Sequence, residues 1–544
     1  MLRVKNLVGW GVVLVLLCAL PGFASASEDR LEPGISGMAG MDFADGSLWV
    51  ISRTEDTISE VDAKSGKVLS EMPCPCAEAG GLAISSDYLW CLDTLEAKVY
   101  EVDRKNQWTV RSVDVNCSLP QGLAFDGTSL WVGCQRKNKL LKIDPSDGTT
   151  LKTIPTPYKG TSGLAWGADS LWVTDRVKDQ VYQVETRKGW VLNALELELP
   201  YPRGIAHDGT RVWVADYQEG FIQRIDLDLI DTVNSGSERP LRVVFTHEMR
   251  NNGPDVVDEA TIYVALPVTR NNQDVKRVEV VSNAPEIADA KDEFESPFKK
   301  VVFENLAPGK SFWVKVEADA VLKKVHYVFD LAAVLPLDQV PEDVSTLYLR
   351  DEDKYDVANP RIQKAAKKIV GAETNPYMIL LRVFHYVTRK MDYKLSGGWN
   401  AAPYVLKRKS GSCSEYSILT IALLRASGIP ARYVGAYVVR GEDASVDYVF
   451  HRWVEAYLPG IGWIPLDPTK GDAPTPAEQF EGVGDLDQRF LVTTVAGGDS
   501  DILGWQYNSV SSYSFTGRVS VAETTMAEWM PLPGSFVEEP VSPE

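Results

Sequence analysis

The sequence predicts a multidomain, mostly β protein: an all-β propeller, then a β-sandwich, then an α+β domain. Three observations predict it. A tryptophan recurs at a fixed spacing of 41 residues, short alternating segments between turn residues fill 241–331, and helical periodicity after Asn359-Pro360 gives way to alternation near Tyr448. At 544 residues the chain is too long for one core, and roughly three or four domains are expected. A composition of 44% apolar and 24% charged residues is that of a globular protein. The net charge of −19, with no long basic run, would repel a phosphate backbone, so no nucleic-acid partner is expected.

Residues 1–26 read as a cleavable export signal. Arg3 and Lys5 precede an apolar run, Leu7 to Leu20, and Ala24-Ser25-Ala26 offers small residues for cleavage. The run is short for a membrane span, and Leu17 is bulky for a lipid-attachment site at Cys18. The expectation is a periplasmic or extracellular protein with no membrane span after cleavage. Export lets disulfides persist. Six cysteines then remain, five of them before residue 135 (Cys74, Cys76, Cys91, Cys117 and Cys134), whereas Cys413 stands alone in the C-terminal half. An isolated cysteine in an oxidising compartment is either buried and inert or kept for its reactivity.

Residues 27–235 hold the repeat. Trp49, Trp90, Trp131, Trp172 and Trp213 each follow a glycine by nine positions: Gly40, Gly81, Gly122, Gly163 and Gly204. An aliphatic-acidic pair follows each tryptophan by twelve or thirteen residues, from Val61-Asp62 to Ile225-Asp226. Four short strands per unit of about 40 residues are the pattern of a propeller blade. Five units predict five blades, with a sixth, degenerate blade built from the ends as the alternative. The fifth unit has only Asp231-Thr232-Val233 where a fourth strand belongs, so ring closure is expected to borrow residues from 28–38. A periodic tryptophan is expected to pack between units. Cys76 and Cys117 occupy equivalent positions, and one or two structural disulfides are expected among the five cysteines. The repeats resemble the NHL/YVTN-type bacterial propellers. Some such propellers are metal-assisted lyases, but His207 is the single histidine of the repeats, too few for a histidine metal site, so no metal or cofactor is expected.

Residues 236–345 read as a β-sandwich-like domain entered by a linker, Asn234 to Pro240. Six strand patterns follow, from Leu241–Met249 to Val325–Leu331. His247 and His326 have no candidate partner near in sequence and are expected to be structural.

Residues 346–500 carry the chemistry, and 501–544 read as C-terminal strands and a tail. Ile362, Ala366 and Ile369 predict a first helix after Pro360, and Ile379, Val383 and Val387 a second after Pro376; His385 is expected at the edge of that second stripe. A third helix starts at Cys413 and ends at Gly428, with Tyr416, Leu419, Thr420, Leu423 and Leu424 as its buried face. The first turn of a helix favours an anion and so lowers a thiol pKa. His451 and Asp467 follow on two segments joined through Pro459-Gly460-Ile461-Gly462. The expected pairing sets His451 directly opposite Asp467, with a seven-residue loop over 456–462. Thiol, imidazole and carboxylate in that order suggest a nucleophile, its base and the group orienting the base.

The stretches Gly411-Ser412-Cys413-Ser414-Glu415-Tyr416, Gly428-Ile429-Pro430-Ala431-Arg432, His451-Arg452-Trp453-Val454-Glu455 and Gly462-Trp463-Ile464-Pro465-Leu466-Asp467-Pro468-Thr469 together resemble the transglutaminase-like superfamily, whose fold is papain-like. The resemblance covers about 375–472. It implies Cys413 as nucleophile, His451 as base and Asp467 as orienting acid, acting on a protein or peptide amide by acyl transfer through a thioester, as a cysteine protease or peptidase, a deamidase or a transglutaminase. The propeller is then a scaffold for an unknown ligand. The competing expectations are an exported interaction scaffold with an inactive core, and a lyase built on the propeller.

Overall fold

The computed structural model describes residues 30–227, 233–395, 398–441 and 445–532. The export signal expected at 1–26, Asp231 and Thr232, and the loose end expected from Phe536 lie outside the described residues.

Each 41-residue unit folds as a four-stranded antiparallel sheet. The first comprises Met38–Ala44, Ser47–Ser52, Thr57–Asp62 and Val68–Pro73. The fifth supplies Pro202–His207, Arg211–Asp216 and Ile222–Asp226, and takes its outer strand from Arg30–Leu31 near the start of the chain. The first strands of successive sheets adjoin, and that of the fifth returns beside that of the first, so the five sheets form a ring. The recurrent glycine explains how close they come. A Cβ on Gly40 would lie 2.6 Å from Gly81 Cα, one on Gly122 2.8 Å from the Leu164 nitrogen, and one on Gly163 2.0 Å from the Arg203 oxygen. Gly122 also holds φ +70°. Gly122→Ala is therefore expected to lower stability by about 1–3 kcal/mol, read as an earlier urea midpoint.

All five periodic tryptophans are buried, at 8% exposure or less, and the indoles of Trp131 and Trp213 donate to Asp126 and Asp208. A second periodicity lies three residues beyond each of Trp90, Trp172 and Trp213. There Asp93, Asp175 and Asp216, all fully buried, accept backbone N–H groups from the loop entering the sheet and from the turn that follows. The third sheet has Cys134 at this position, and Cys134 is disulfide-bonded to Cys117 in the entering loop, with the Cα atoms 5.6 Å apart. The bond thus replaces the carboxylate clasp of its neighbours. Cys117→Ala with Cys134→Ala is expected to cost about 2–4 kcal/mol. Cys117→Ala with Cys134→Asp should recover part of that loss in the same urea titration, because an aspartate meets the same backbone donors. Cys74, Cys76, Cys91 and Cys413 are unpaired.

Asn234 to Pro240 is not a linker: it begins a long strand, Asn234–Asn251, which crosses a sandwich of two sheets. One sheet has the order Gln273–Ser282, Ser311–His326, Asn234–Asn251, Val521–Pro531, Ser445–Asp447. The other has the order Glu286–Lys291, Pro297–Leu306, Val257–Ala265, Ser509–Phe515. Phe312, Val314, Val316, Ala318, Ala320 and Leu322 alternate inward along one strand and meet Ile262, Val264 and Val301 from the facing sheet. The C-terminal strands expected within 501–544 are Ser509–Phe515 and Val521–Pro531, and both complete this sandwich. His247 is buried and bonds Ser509 at 2.9 Å, while His326 bonds Asp485 and the Ala194 carbonyl.

The α+β core lies between the two halves of the sandwich in the sequence. Its helices are α1 (Glu342–Tyr348), α2 (Pro360–Val370), α3 (Pro376–Lys390), α4 (Ala402–Arg408), α5 (Cys413–Arg425) and α6 (Pro476–Phe480). Its sheet has the order Gly462–Leu466, His451–Leu458, Ala431–Val438, Phe490–Ala496. Asn359 and Asn375 cap α2 and α3, each with proline at the first helical position. α5 departs from the expected single buried face. Every residue from Cys413 to Arg425 is buried, because α2, α3 and α4 cover the side that the sheet leaves open. The core also rests on the fourth propeller sheet: Tyr377 of α3 donates to the Leu192 carbonyl at 2.8 Å, and one apolar cluster runs from Leu164 and Val184 through Tyr377 to Leu419.

Candidate active site

Cys413 is the first residue of α5. Ser412 precedes it as the N-cap, and Glu415 closes the turn by accepting the Ser412 backbone N–H at 2.7 Å. The other Glu415 oxygen accepts the Gly398 N–H at 2.7 Å and the Asn400 amide at 2.8 Å. One fully buried carboxylate thus fixes the loop bearing Trp399 against the start of the thiol's helix. The sequence held a signal for this in the Ser412-x-x-Glu415 capping pattern, though not for the loop that Glu415 holds.

His451 starts its strand and reaches the thiol across the strand–helix contact, in a hydrogen bond with Cys413. Its Nε2 lies 2.8 Å from Asp467 Oδ2. The second Asp467 oxygen accepts from Thr469 twice, its N–H at 3.0 Å and its hydroxyl at 2.6 Å, so the carboxylate is held from both ends. The three expected site residues therefore come together in the expected order.

The register differs from the expected one. Leu458 pairs with Gly462 and Val454 with Leu466, so the hairpin loop is 459–461 and not 456–462. In this register Asp467 falls across from Trp453 and reaches His451 diagonally along the same face, one pleat away. Gly460 and Gly462, at φ +85° and +102°, make the tight turn.

Electrostatics follow from this geometry. Burial pushes the Cys413 thiol up, but the hydrogen bond and charge of His451, with the Arg452 backbone N–H, outweigh it and hold the thiol below its ordinary value. Burial pushes His451 down, yet the Asp467 carboxylate, its hydrogen bond and the thiolate bring it up to about 10. Asp467, opposed by burial, is held at about 2 chiefly by the His451 charge. These shifts all favour a thiolate–imidazolium pair backed by an ionised carboxylate. Cys413 stands at the start of α5, where backbone N–H groups lack intrahelical carbonyl partners and the helix favours negative charge.

Sequence reasoning missed Arg452. It is almost wholly buried, with its guanidinium 4.3, 4.1 and 4.4 Å from the rings of Trp399, Tyr433 and Tyr507, and it donates to the Trp505 carbonyl at 2.7 Å. Its aromatic partners are scattered over a hundred residues, so no local pattern announces it. His385 is no second base either: it is stacked on Trp190 at 4.3 Å and held neutral by burial. His207 stacks on Trp172 and accepts the Gly209 N–H.

The stretch that carries these residues is similar to known proteins. Residues 363–468 match the family described as the transglutaminase-like superfamily. A protein-glutamine gamma-glutamyltransferase of Pseudomonas aeruginosa is 30% identical over 132 residues, 22% of this chain and 20% of that protein. YebA of Bacillus subtilis, an uncharacterized protein, is 28% identical over 144 residues, 25% of this chain and 18% of that protein. The chain thus spans about a fifth of the length of these relatives. Among solved structures, a "Putative Cysteine Protease from Cytophaga hutchinsonii" aligns with TM-score 0.41 at 18% identity, covering 56% of this chain and 94% of that one. A streptogramin B lyase aligns with TM-score 0.26 at 19% identity, covering 39% and 78%. Residues 363–468 are a transglutaminase-like core domain, joined in this chain to an N-terminal region of propeller-like sheets.

Proposed function

We propose that this protein is an exported thiol enzyme that transfers the acyl group of a protein or peptide amide through a thioester on Cys413, with the five sheets as a five-bladed propeller scaffold that holds the substrate or a partner. The observation that carries this reading is the thiol of Cys413 at the start of α5, bonded to His451, whose far nitrogen lies 2.8 Å from Asp467. The Cys413 thiolate attacks the amide carbonyl, and the first-turn N–H groups of α5 hold the oxyanion. As the C–N bond breaks, the His451 imidazolium gives its proton to the leaving amine or ammonia, and a thioester remains. Water or an amine then attacks the thioester, His451 takes its proton, and the thiolate leaves. Asp467 keeps the imidazole in one orientation throughout.

The surroundings favour a polypeptide substrate. Tyr393 and Leu395 flank one side of the thiol through pairing of Tyr393 with Gly411, and Tyr448 and Val449 flank the other just before His451. All four are exposed beside an otherwise buried site. The glutamyltransferase relative makes a glutamine carboxamide one acyl donor to test, with water or a primary amine as the second substrate.

The test is mass spectrometry of a peptide library incubated with the reduced protein, with and without a primary amine. Cleavage, deamidation or amine incorporation each names the second substrate. Loss of the product with Cys413→Ala is expected. A product that survives this substitution, or no product with any peptide while the thiol still alkylates, would sink the reading in favour of an interaction scaffold.

A further inference from the structure

A second cavity lies away from the thiol, where the fourth propeller sheet meets α2 and α3. Its volume is about 570 Å³, within the range of small-molecule sites. Five cationic side chains line it (Arg187, Lys188, Arg382, Arg389 and Lys390) with a single carboxylate, Glu185, in a protein whose net charge is −19.

The local carboxylates do not neutralise this cluster. Glu185 is engaged by the N–H groups of Arg187 and Lys188 and by the Arg187 guanidinium. Glu373 bridges Arg187 and Arg382. Among the described residues, Lys188, Arg389 and Lys390 have no carboxylate within ion-pair distance. Three unpaired cations converging on one concavity of an acidic protein make an anion site by charge.

The wall of the cavity adds a second, independent observation. Trp190 and His385 stack with ring centroids 4.3 Å apart, and the Arg389 guanidinium lies 5.8 Å from the Trp190 ring. His385 is 95% buried, yet its Nδ1 has no hydrogen-bond partner, and neither has the Trp190 indole nitrogen. Unpartnered buried polar atoms are uncommon and costly, so this aromatic pair is not placed by hydrogen bonds within the chain. Burial and the Arg389 charge hold His385 neutral, so the stacked ring adds no sixth cation to the wall. Tyr386 and Ile369 supply the remaining apolar surface.

We infer that this seam cavity binds a small organic anion: a carboxylate or phosphate head held by Lys188, Arg389 and Lys390, on a flat apolar body that lies against the Trp190–His385 stack. The site joins the scaffold to the catalytic core, because α3, which forms one wall, also packs on α5. The inference does not rest on the thiol chemistry, and a catalytically dead Cys413→Ala protein should bind the same ligand.

Calorimetric titration of the full chain tests this with four probes: benzoate, phenyl phosphate, inorganic phosphate and benzyl alcohol. Benzoate or phenyl phosphate is expected to bind saturably at one site, at least about tenfold more tightly than either inorganic phosphate or benzyl alcohol. The better of the two aryl anions identifies the head group. Lys188→Ala with Lys390→Ala, two exposed changes, should weaken the aryl anion at least about tenfold, while Cys413 alkylation stays at the wild-type rate as a check on folding. Trp190→Leu should erase the preference for the aryl anion over inorganic phosphate. No saturable binding of either aryl anion, unchanged affinity in the double lysine variant, or equal affinity for benzyl alcohol would overturn the inference.

Discussion

His451→Ala is expected to slow alkylation of Cys413 by iodoacetamide near neutral pH by at least about tenfold, and to reduce turnover of any amide substrate by about 10²–10⁴-fold. The thiol is depressed mainly through its hydrogen bond with His451 and the imidazolium charge. In the wild type the thiolate forms as pH rises through that depressed value, and the imidazolium persists until pH passes about 10. The reactive ion pair therefore fills the window between the two. Wild-type alkylation should climb as pH rises through the depressed thiol value, which lies below 9.0, then level off and change again only near pH 10. Without the imidazole, burial is opposed by the Arg452 N–H and charge but no longer by His451, and the acid inflection should move up toward the ordinary value of 9.0. Asp467→Asn should show a related but distinct profile. It removes the charge that raises His451, so the alkaline limb moves down while the thiol stays alkylatable. An unchanged inflection in His451→Ala would mean that the pair does not form.

The second large effect is expected from Glu415→Ala, which should destabilise the protein by about 3–5 kcal/mol in urea titration. The buried carboxylate meets the N–H groups of Gly398 and Ser412, the Asn400 amide and the Ser412 hydroxyl, and Arg408 lies 3.8 Å away. Removing it leaves those donors unpaired in an interior that excludes water. Glu415→Gln should lie between wild type and alanine, since one amide end turns donors toward donors. At low denaturant the folded fraction of either variant should keep the His451-controlled alkylation inflection while losing turnover, because the loop 398–400 is no longer fixed beside the thiol. Stability within about 0.5 kcal/mol of wild type would show that the carboxylate is not the clasp described here.

Local chemistry and strict periodicity made the ring of sheets and the three site residues legible. Glycine, tryptophan and an acidic pair recur with the period because each sheet meets identical neighbours, and the ordered cysteine, histidine and aspartate lie on segments that one hairpin and one helix start bring together. The rest depends on contacts between distant residues. Asn234 to Pro240 reads as a linker by composition, but its backbone pairs with Leu322 and Lys323 across the sheet. A looser hairpin loop sets His451 directly opposite Asp467, whereas a diagonal along one face brings the two together with a tighter turn. Arg452 offers nothing local to read: its rings arrive from a loop, a strand and a turn that meet only in the folded core.

The order of the sandwich strands has a consequence for how the chain folds as it is made. Asn234–Asn251 and Val257–Ala265 emerge early, but their partners Val521–Pro531 and Ser509–Phe515 emerge last, after the whole core. Until then both sheets present open edges, one of which will also carry Ser445–Asp447 through the final strand, a few residues from His451. Such long-range pairing forms slowly and leaves unpaired backbone exposed to other chains. The ring of sheets can close during synthesis, whereas the turn leading to the catalytic histidine gains its neighbouring strand only when the last described residues arrive. Chains cut short before Val521 should therefore accumulate as aggregates that keep a folded N-terminal ring, and proteolysis of those aggregates should release it intact.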